Sequence, residues 1–205
     1  MLTYMTPDRY NKFREALGEE SDFPLTDSLY DYIVGHASPV IFEKGSRVVD
    51  IDSYDSDVYL IVEGILRGYM LDNGVETNVY FGMEGTFVAS MQSFSAGSRA
   101  IMCIEACCQT ELLRIRKPVF DAMMAESIEF ARWVAGVFIR RSCFAELKAK
   151  MMSGDARWRY EWLEKCRPEL LDNVPLKAIA SYLSMTEVHV SRIRKQIARG
   201  EKFRD

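Results

Sequence analysis

The sequence predicts an α+β chain in which a β jelly roll is followed by a long helix and a C-terminal pair of short helices. Three observations predict it. Residues 40–116 are short runs rich in β-branched and aromatic side chains, separated at close intervals by Gly, Asp, Asn and Ser, the pattern of many short strands in a jelly roll or sandwich. Residues 118–152 carry apolar side chains at spacings of three and four. Residues 175–199, PLKAIASYLSMTEVHVSRIRKQIAR, show helical spacing twice, on either side of a tight turn.

Length and composition bound the function. At 205 residues the chain can form one domain or two small ones, and 48% apolar residues suffice for a packed core. A net charge of −4 argues against a protein that coats nucleic acid along its whole surface. The charge is uneven, however. From Thr186 onward Arg192, Arg194, Lys195, Arg199, Lys202 and Arg204 outnumber Glu187, Glu201 and Asp205, so a basic end follows an acidic body. No early apolar run follows a basic start, and no stretch approaches the roughly twenty apolar residues of a membrane span. The expectation is a soluble, cytoplasmic protein with no membrane partner. Cys103, Cys107, Cys108, Cys143 and Cys166 lack C-x-x-C spacing and read as reduced, structural thiols. The two histidines, His36 and His189, have no partner at metal-ligand spacing, and no G-x-S-x-G, H-E-x-x-H or P-loop occurs. The sequence therefore points away from an enzyme and implies neither metal nor cofactor.

Taken in order, the chain up to about His36 reads as helical. Thr26 or Asp27 can cap a helix carrying Leu29, Tyr32 and Ile33, which His36 closes. Residues 58–62 and 65–71 are strands flanking Glu63-Gly64. Asp72-Asn73-Gly74 is a hairpin turn, because Asn and Gly accept the positive φ it needs, and Val79-Tyr80-Phe81 lies on the returning strand. Pro118 opens a helical region with a brief break near Ser127. Ala131, Val134, Phe138, Arg141 and Ala145 form one stripe, and Phe130, Val134, Val137 and Phe144 an overlapping one. One stripe can pack on the barrel and the other on a twin helix, since a helix this long exceeds what one small barrel covers. Ser153-Gly154-Asp155 breaks it and marks a hinge. Residues 156–165 form a further helix whose Trp158, Trp162 and Leu163 read as core, and Arg167-Pro168 stops it. The domains read as 1–117, 118–153 and 154–205.

Pro175 suits a helix start, and Leu176, Ile179, Ala180 and Leu183 follow at helical spacing. After Ser184 and Met185, Thr186 can cap a second helix that turns Val190, Ile193 and Ile197 inward and Val188, Ser191, Arg192, Lys195 and Arg199 outward. A helix of this kind fits the DNA major groove. Hydrophobic spacing alone fits an ordinary helical hairpin with a solvated charged face equally well.

The order of residues decides between them. Ile-Ala-x-x-Leu, a short turn, Thr, then Val-Ser-Arg-Ile resembles the helix-turn-helix of the Crp/Fnr family of bacterial transcription regulators. Phe42-Glu43-Lys44-Gly45, the run from Tyr59 to Gly64, Asn73-Gly74 and Glu84-Gly85-Thr86-Phe87 follow in the order and spacing of that family's cyclic-nucleotide-binding domain. Pro168-Glu-Leu-Leu171 ahead of Val174-Pro175-Leu176 resembles the members common in Bacteroidetes. The resemblance implies a homodimer joined through the long helix and bound to double-stranded DNA. Arg192 would read a base, Thr186, Ser191, Lys195 and Arg199 would hold phosphates, and Glu187, Val188 and His189 would lie on the same docking face. RNA polymerase is a further implied partner. Relatives usually carry Gly where Ser184 stands and continue into a β-hairpin wing, for which the few residues after Arg199 leave no room. An iron–sulfur cluster on early cysteines is not expected, since the first is Cys103.

The resemblance also places an effector site between Gly85 and Ala106, with a Glu on the ribose and an Arg on the phosphate of cyclic AMP. Here Ser90 stands at the Glu position and Ala100 at the Arg position, with Arg99 one residue away. Gly85, Phe87, Ser90 and Arg99 are the candidate effector contacts, although Arg99 reads better as a solvated loop residue. The effector is unknown and is not expected to be cyclic AMP. The alternative is a signal-binding or protein-interaction module that keeps the barrel and has lost productive DNA binding.

Overall fold

The computed structural model describes residues 6–199. The expectations that rest on Gly200 onward, namely the charges of Glu201, Lys202, Arg204 and Asp205 and the missing wing, lie outside the described residues, as does the helical reading of Met1 to Met5. The described residues fall into two compact units, one of residues 6–70 and 80–143, the other of residues 71–79 and 144–199.

The first unit opens with α1 (Pro7–Gly18) and α2 (Asp27–Gly35). Thr6 and Thr26 cap them, each side chain accepting from a free first-turn N–H, of Arg9 and of Leu29. The predicted helical stretch is thus two helices separated by residues 19–26, and His36 closes the second, its Nδ1 2.8 Å from Tyr32 O. The strands β1 (Ser38–Phe42), β2 (Arg47–Val49), β3 (Val58–Glu63), β4 (Leu66–Asp72), β5 (Val75–Gly82), β6 (Phe87–Ala89), β7 (Cys103–Ala106) and β8 (Thr110–Ile115) follow, with the short α3 (Met91–Ala96) inserted after β6. They form two four-stranded sheets, ordered β1-β8-β3-β6 and β2-β7-β4-β5, in the predicted jelly-roll manner.

The first sheet is buried on both faces, which explains why Val58 to Val62 are all buried rather than alternating. Its inner face contributes Tyr59, Ile61, Val88 and Leu112 to a core shared with Val49, Leu66, Ile104 and Ala106 of the other sheet. Its outer face, with Val58, Leu60, Phe87 and Leu113, packs under α1, α2, α4 (Lys117–Glu126) and the first half of α5 (Ile128–Met152). Phe120 and Phe130 meet there edge to face, 5.3 Å apart. Gly85, with φ of 82°, sits so close to α1 that an added Cβ would fall 2.4 Å from the carbonyl carbon of Ala16.

The break between α4 and α5 falls at Ser127, whose hydroxyl accepts from Phe130 N. Of the two expected stripes, Phe130, Val134 and Val137 are buried together on the side that meets the sheet, and Phe138 packs beside them. Phe144 and Ala145, the last members of the expected stripes, are exposed, and so are Ile128, Ile139 and Leu147 elsewhere on the helix, at 73%, 53% and 55%. Helical period marks a face as apolar without distinguishing one turned to the sheet from one turned to solvent.

The second unit holds the end of α5, then α6 (Ala156–Cys166), α7 (Pro168–Asn173), α8 (Leu176–Tyr182) and α9 (Glu187–Ala198), around Met151, Tyr160, Leu163, Leu170, Ile179, Leu183, Val190 and Ile193. Asp155 caps α6 by accepting from Trp158 N at 2.8 Å. Trp158, read from the sequence as core, is 41% exposed and lies over Gly154, while Tyr160 takes the buried position. The turn between β4 and β5 forms at Asn73 and Gly74, with φ of 50° and 81° as the hairpin requires.

The hairpin tip, residues 71–79, belongs to this unit. Ser181 of α8 donates its hydroxyl to Glu76 O (3.0 Å) and accepts from Asn78 N (2.9 Å), as a neighbouring strand would. Lys148 of α5 donates Nζ to Val79 O (2.5 Å), with that nitrogen 3.9 Å from the Tyr182 ring centroid. Burial penalises the ammonium and lowers its pKa from 10.5 to about 8. Between these two values the unfolded chain binds more protons than the folded one, so the lysine's contribution to stability rises with pH across that window. Urea titrations from pH 7 to pH 10 should therefore show Lys148→Met losing stability relative to the wild type as pH rises; a difference constant with pH would overturn this.

Candidate nucleic-acid interface

The interface is built on α8, the following turn and α9. α8 starts after Pro175 and ends at Leu183. Ser184 N donates to Ser181 O (3.0 Å) and Met185 N to Ala180 O (2.8 Å), the two reversed bonds that close a helix with a left-handed residue. That residue is Ser184, with φ of 54°. The carbonyl of Leu183 is taken by Arg159 Nη1 at 2.7 Å, which ties the turn to α6.

Thr186 then caps α9, its hydroxyl accepting from His189 N at 3.2 Å. Val190 and Ile193 are buried, fixing the rotation of the helix, and Ile197 is partly buried. The rotation leaves Glu187, Val188, Arg192, Lys195 and Arg199 exposed and Ser191 and His189 partly so. Val188, Arg192, Lys195 and Arg199 follow one another at intervals of four, three and four, one row along the helix. No ion pair among the described residues engages Arg192 or Lys195, so neither cation is committed within the unit.

An open groove runs along this row, lined by Leu176, Glu187, Val188, Ser191, Arg192, Lys195, Gln196 and Arg199. It gathers six of the eight residues expected on the docking face. Thr186 lies at its end as the helix cap, and His189 does not line it. Leu176 and Gln196 were not anticipated. Gln196 follows Arg192 by four residues, so the same helical count reaches it, whereas Leu176 reads from the sequence as core.

The candidate effector contacts are engaged by groups of their own unit. Gly85 N–H is spent on Ile61 O (2.8 Å) and Phe87 N–H on Glu20 Oε2 (3.1 Å). The Phe87 ring lies on the outer face of its sheet with Phe120 and Phe138. Ser90 is buried at the start of α3, its hydroxyl 3.3 Å from that of Ser93. Arg99 is exposed, donates to Asp52 O (2.6 Å) and lies over Tyr54. Ala100 is fully buried with Ile104 in the barrel interior, and Tyr80 and Met102 fill the space against Gly68. A cyclic nucleotide needs an acceptor for its ribose hydroxyl and a cation for its phosphate, and these residues do not fit it.

Residues 39–127 match the family model of the cyclic nucleotide-binding domain. Among solved structures the chain is similar to FixK2 from Bradyrhizobium japonicum, at 19% identity and a TM-score of 0.70 over 80% of this chain and 85% of that one. It is similar to the catabolite activator protein of Thermus thermophilus, at 18% identity and a TM-score of 0.55 over 86% and 85%. It is also similar to CLP, the c-di-GMP responsive global regulator of Xanthomonas campestris, at 13% identity and a TM-score of 0.66 over 85% and 93%. The chain has the fold of these Crp/Fnr-type regulators. No curated protein matches it in sequence.

Ser184 carries a Cβ in a conformation that costs such residues roughly 1 kcal/mol. Ser184→Gly should raise the thermal stability of the protein slightly while leaving any DNA preference unchanged; a lower Tm would show that the serine side chain contributes more than the backbone strain costs.

Proposed function

We propose that the protein is a sequence-specific, DNA-binding transcription regulator of the Crp/Fnr type that acts as a homodimer. The observation that carries this reading is the row Val188, Arg192, Lys195 and Arg199, presented on a capped helix whose opposite side is locked into a core. A guanidinium at Arg192 suits the two acceptors of guanine in the major groove, and Thr186, Ser191, Lys195 and Arg199 suit phosphates. Residues 1–117 then form the sensor region, 118–153 the helical connection and 154–205 the DNA-binding region.

The homodimer is supported by the exposed apolar stripe of α5, in which Ile128, Ile139 and Leu147 share the helix with a buried opposite face. Two copies joined along it would present two α9 helices roughly 34 Å apart, suiting a pseudo-palindromic site. No described helix is long and apolar enough to cross a membrane, consistent with work on cytoplasmic DNA. RNA polymerase is the expected further partner. Neighbours of this fold include a c-di-GMP responsive regulator and CprK complexed with OCPA, so the barrel architecture serves more than one ligand. In this chain the effector, if one acts, is a less charged molecule than cyclic AMP.

Two measurements test the reading. In gel shifts against the chain's own promoter DNA at several salt concentrations, Arg192→Ala should relax preference at one position of the site at a cost of about 1–3 kcal/mol, while Lys195→Ala weakens all sequences alike. Absence of a complex at low salt would overturn DNA binding. Isothermal titration should show no micromolar binding of cyclic AMP or cyclic GMP; micromolar binding lost in Arg99→Ala would show that Arg99 turns inward to hold the phosphate.

A further inference from the structure

Val188 is the most exposed of the large apolar residues in the described chain, at 79%, and it sits in the first turn of α9, four residues before Arg192. We propose that Val188 selects a thymine in each half-site by packing against its C5 methyl group; this rests on the DNA-binding reading above and adds to it the identity of one base.

The first turn of α9 is chemically unlike the rest of its outer face. Ser191, Lys195 and Arg199 can hold a phosphate, whereas Glu187 repels one and Val188 offers it nothing. A docked helix that turned Glu187 and Val188 toward the backbone would set a carboxylate against phosphates. Turned toward the bases, the same end is compatible, because Glu187 can accept from a base amine.

At that depth the base facing Val188 is decided by what a valine cannot do. It has two methyl groups and no donor or acceptor. Opposite adenine, guanine or cytosine it would strip water from N6 and N7, O6 and N7, or N4 without replacing a single hydrogen bond. Thymine alone among the four presents a methyl group on its major-groove edge. Valine is also stiff at χ1, so it loses little freedom on contact. Four residues along a helix advance about 6 Å, close to two base-pair steps of about 3.4 Å, so the thymine lies one or two pairs from the guanine that Arg192 reads.

The experiment uses the full-length protein. Enrichment from random-sequence duplexes should yield half-sites with a guanine and, one or two pairs away, a thymine. Replacing that thymidine by deoxyuridine, which pairs identically but lacks the methyl group, should weaken wild-type binding about three- to fivefold and weaken Val188→Ala less, since alanine keeps only one methyl group at that position. Val188→Glu should shift the preferred base at that position to cytosine. Enriched sites indifferent to the base there, or deoxyuridine binding as well as thymidine, would overturn the role of Val188 while leaving DNA binding intact. Failure to enrich any sequence would overturn the DNA-binding reading and this inference with it. The deoxyuridine comparison needs no variant, so a misfolded mutant does not obscure it.

Discussion

A sheet with two apolar faces has to be covered twice. In this chain the β1-β8-β3-β6 sheet carries apolar side chains inward and outward along β3, so closing the barrel satisfies only half of the requirement. The outward set is covered by helices drawn from both sides of the barrel in sequence, α1 and α2 before it and α4 and α5 after it. Phe87, Phe120 and Phe130 are where these pieces meet, and Trp133 stacks on Phe130 beside them. The N-terminal helices are thus part of the core on the outer face of this sheet. The same demand anchors the first half of α5 and leaves its other face bare, which is the geometric origin of the exposed apolar stripe.

In the second unit the controlling feature is backbone polarity at the tip of the β4-β5 hairpin. Edge strands present unpaired N–H and C=O groups, and a long hairpin exposes many of them. Ser181 takes one of each, and Lys148 takes another carbonyl at the expense of holding its ammonium away from water. A helix from the C-terminal group of elements therefore acts as a partial extra strand for the hairpin, through side-chain rather than main-chain bonds.

Features governed by short-range chemistry were legible in the sequence. The caps Thr26 and Thr186, the turn at Asn73-Gly74 and the break at Ser127 depend on a few neighbouring residues, and the structure places them where the sequence reading put them. Features fixed by distant contacts were not. Trp158 has the spacing of a core residue but covers a glycine at the surface, and the exposed stripe of α5 shares its period with the buried ones. The exposed row of α9 was legible because Val190 and Ile193 set its rotation from within the helix itself, while Leu176 joins the groove only through the packing of α8 against α9. Phe87, a candidate effector contact by position, has its side chain on the outer face of its sheet, a strand parity that position alone does not reveal.

The C-terminal unit is discontinuous in sequence, since nine of its residues, 71–79, come from the middle of the barrel region. A gene fragment starting in α5 would encode the helices but not the strand backbone that Ser181 and Lys148 bind. A break at Gly154 therefore does not by itself bound this compact unit. Exchange of the C-terminal helices with another chain by a single crossover would strand a half-buried lysine and a bridging serine without their partners, so the hairpin tip and the helices it touches must change together.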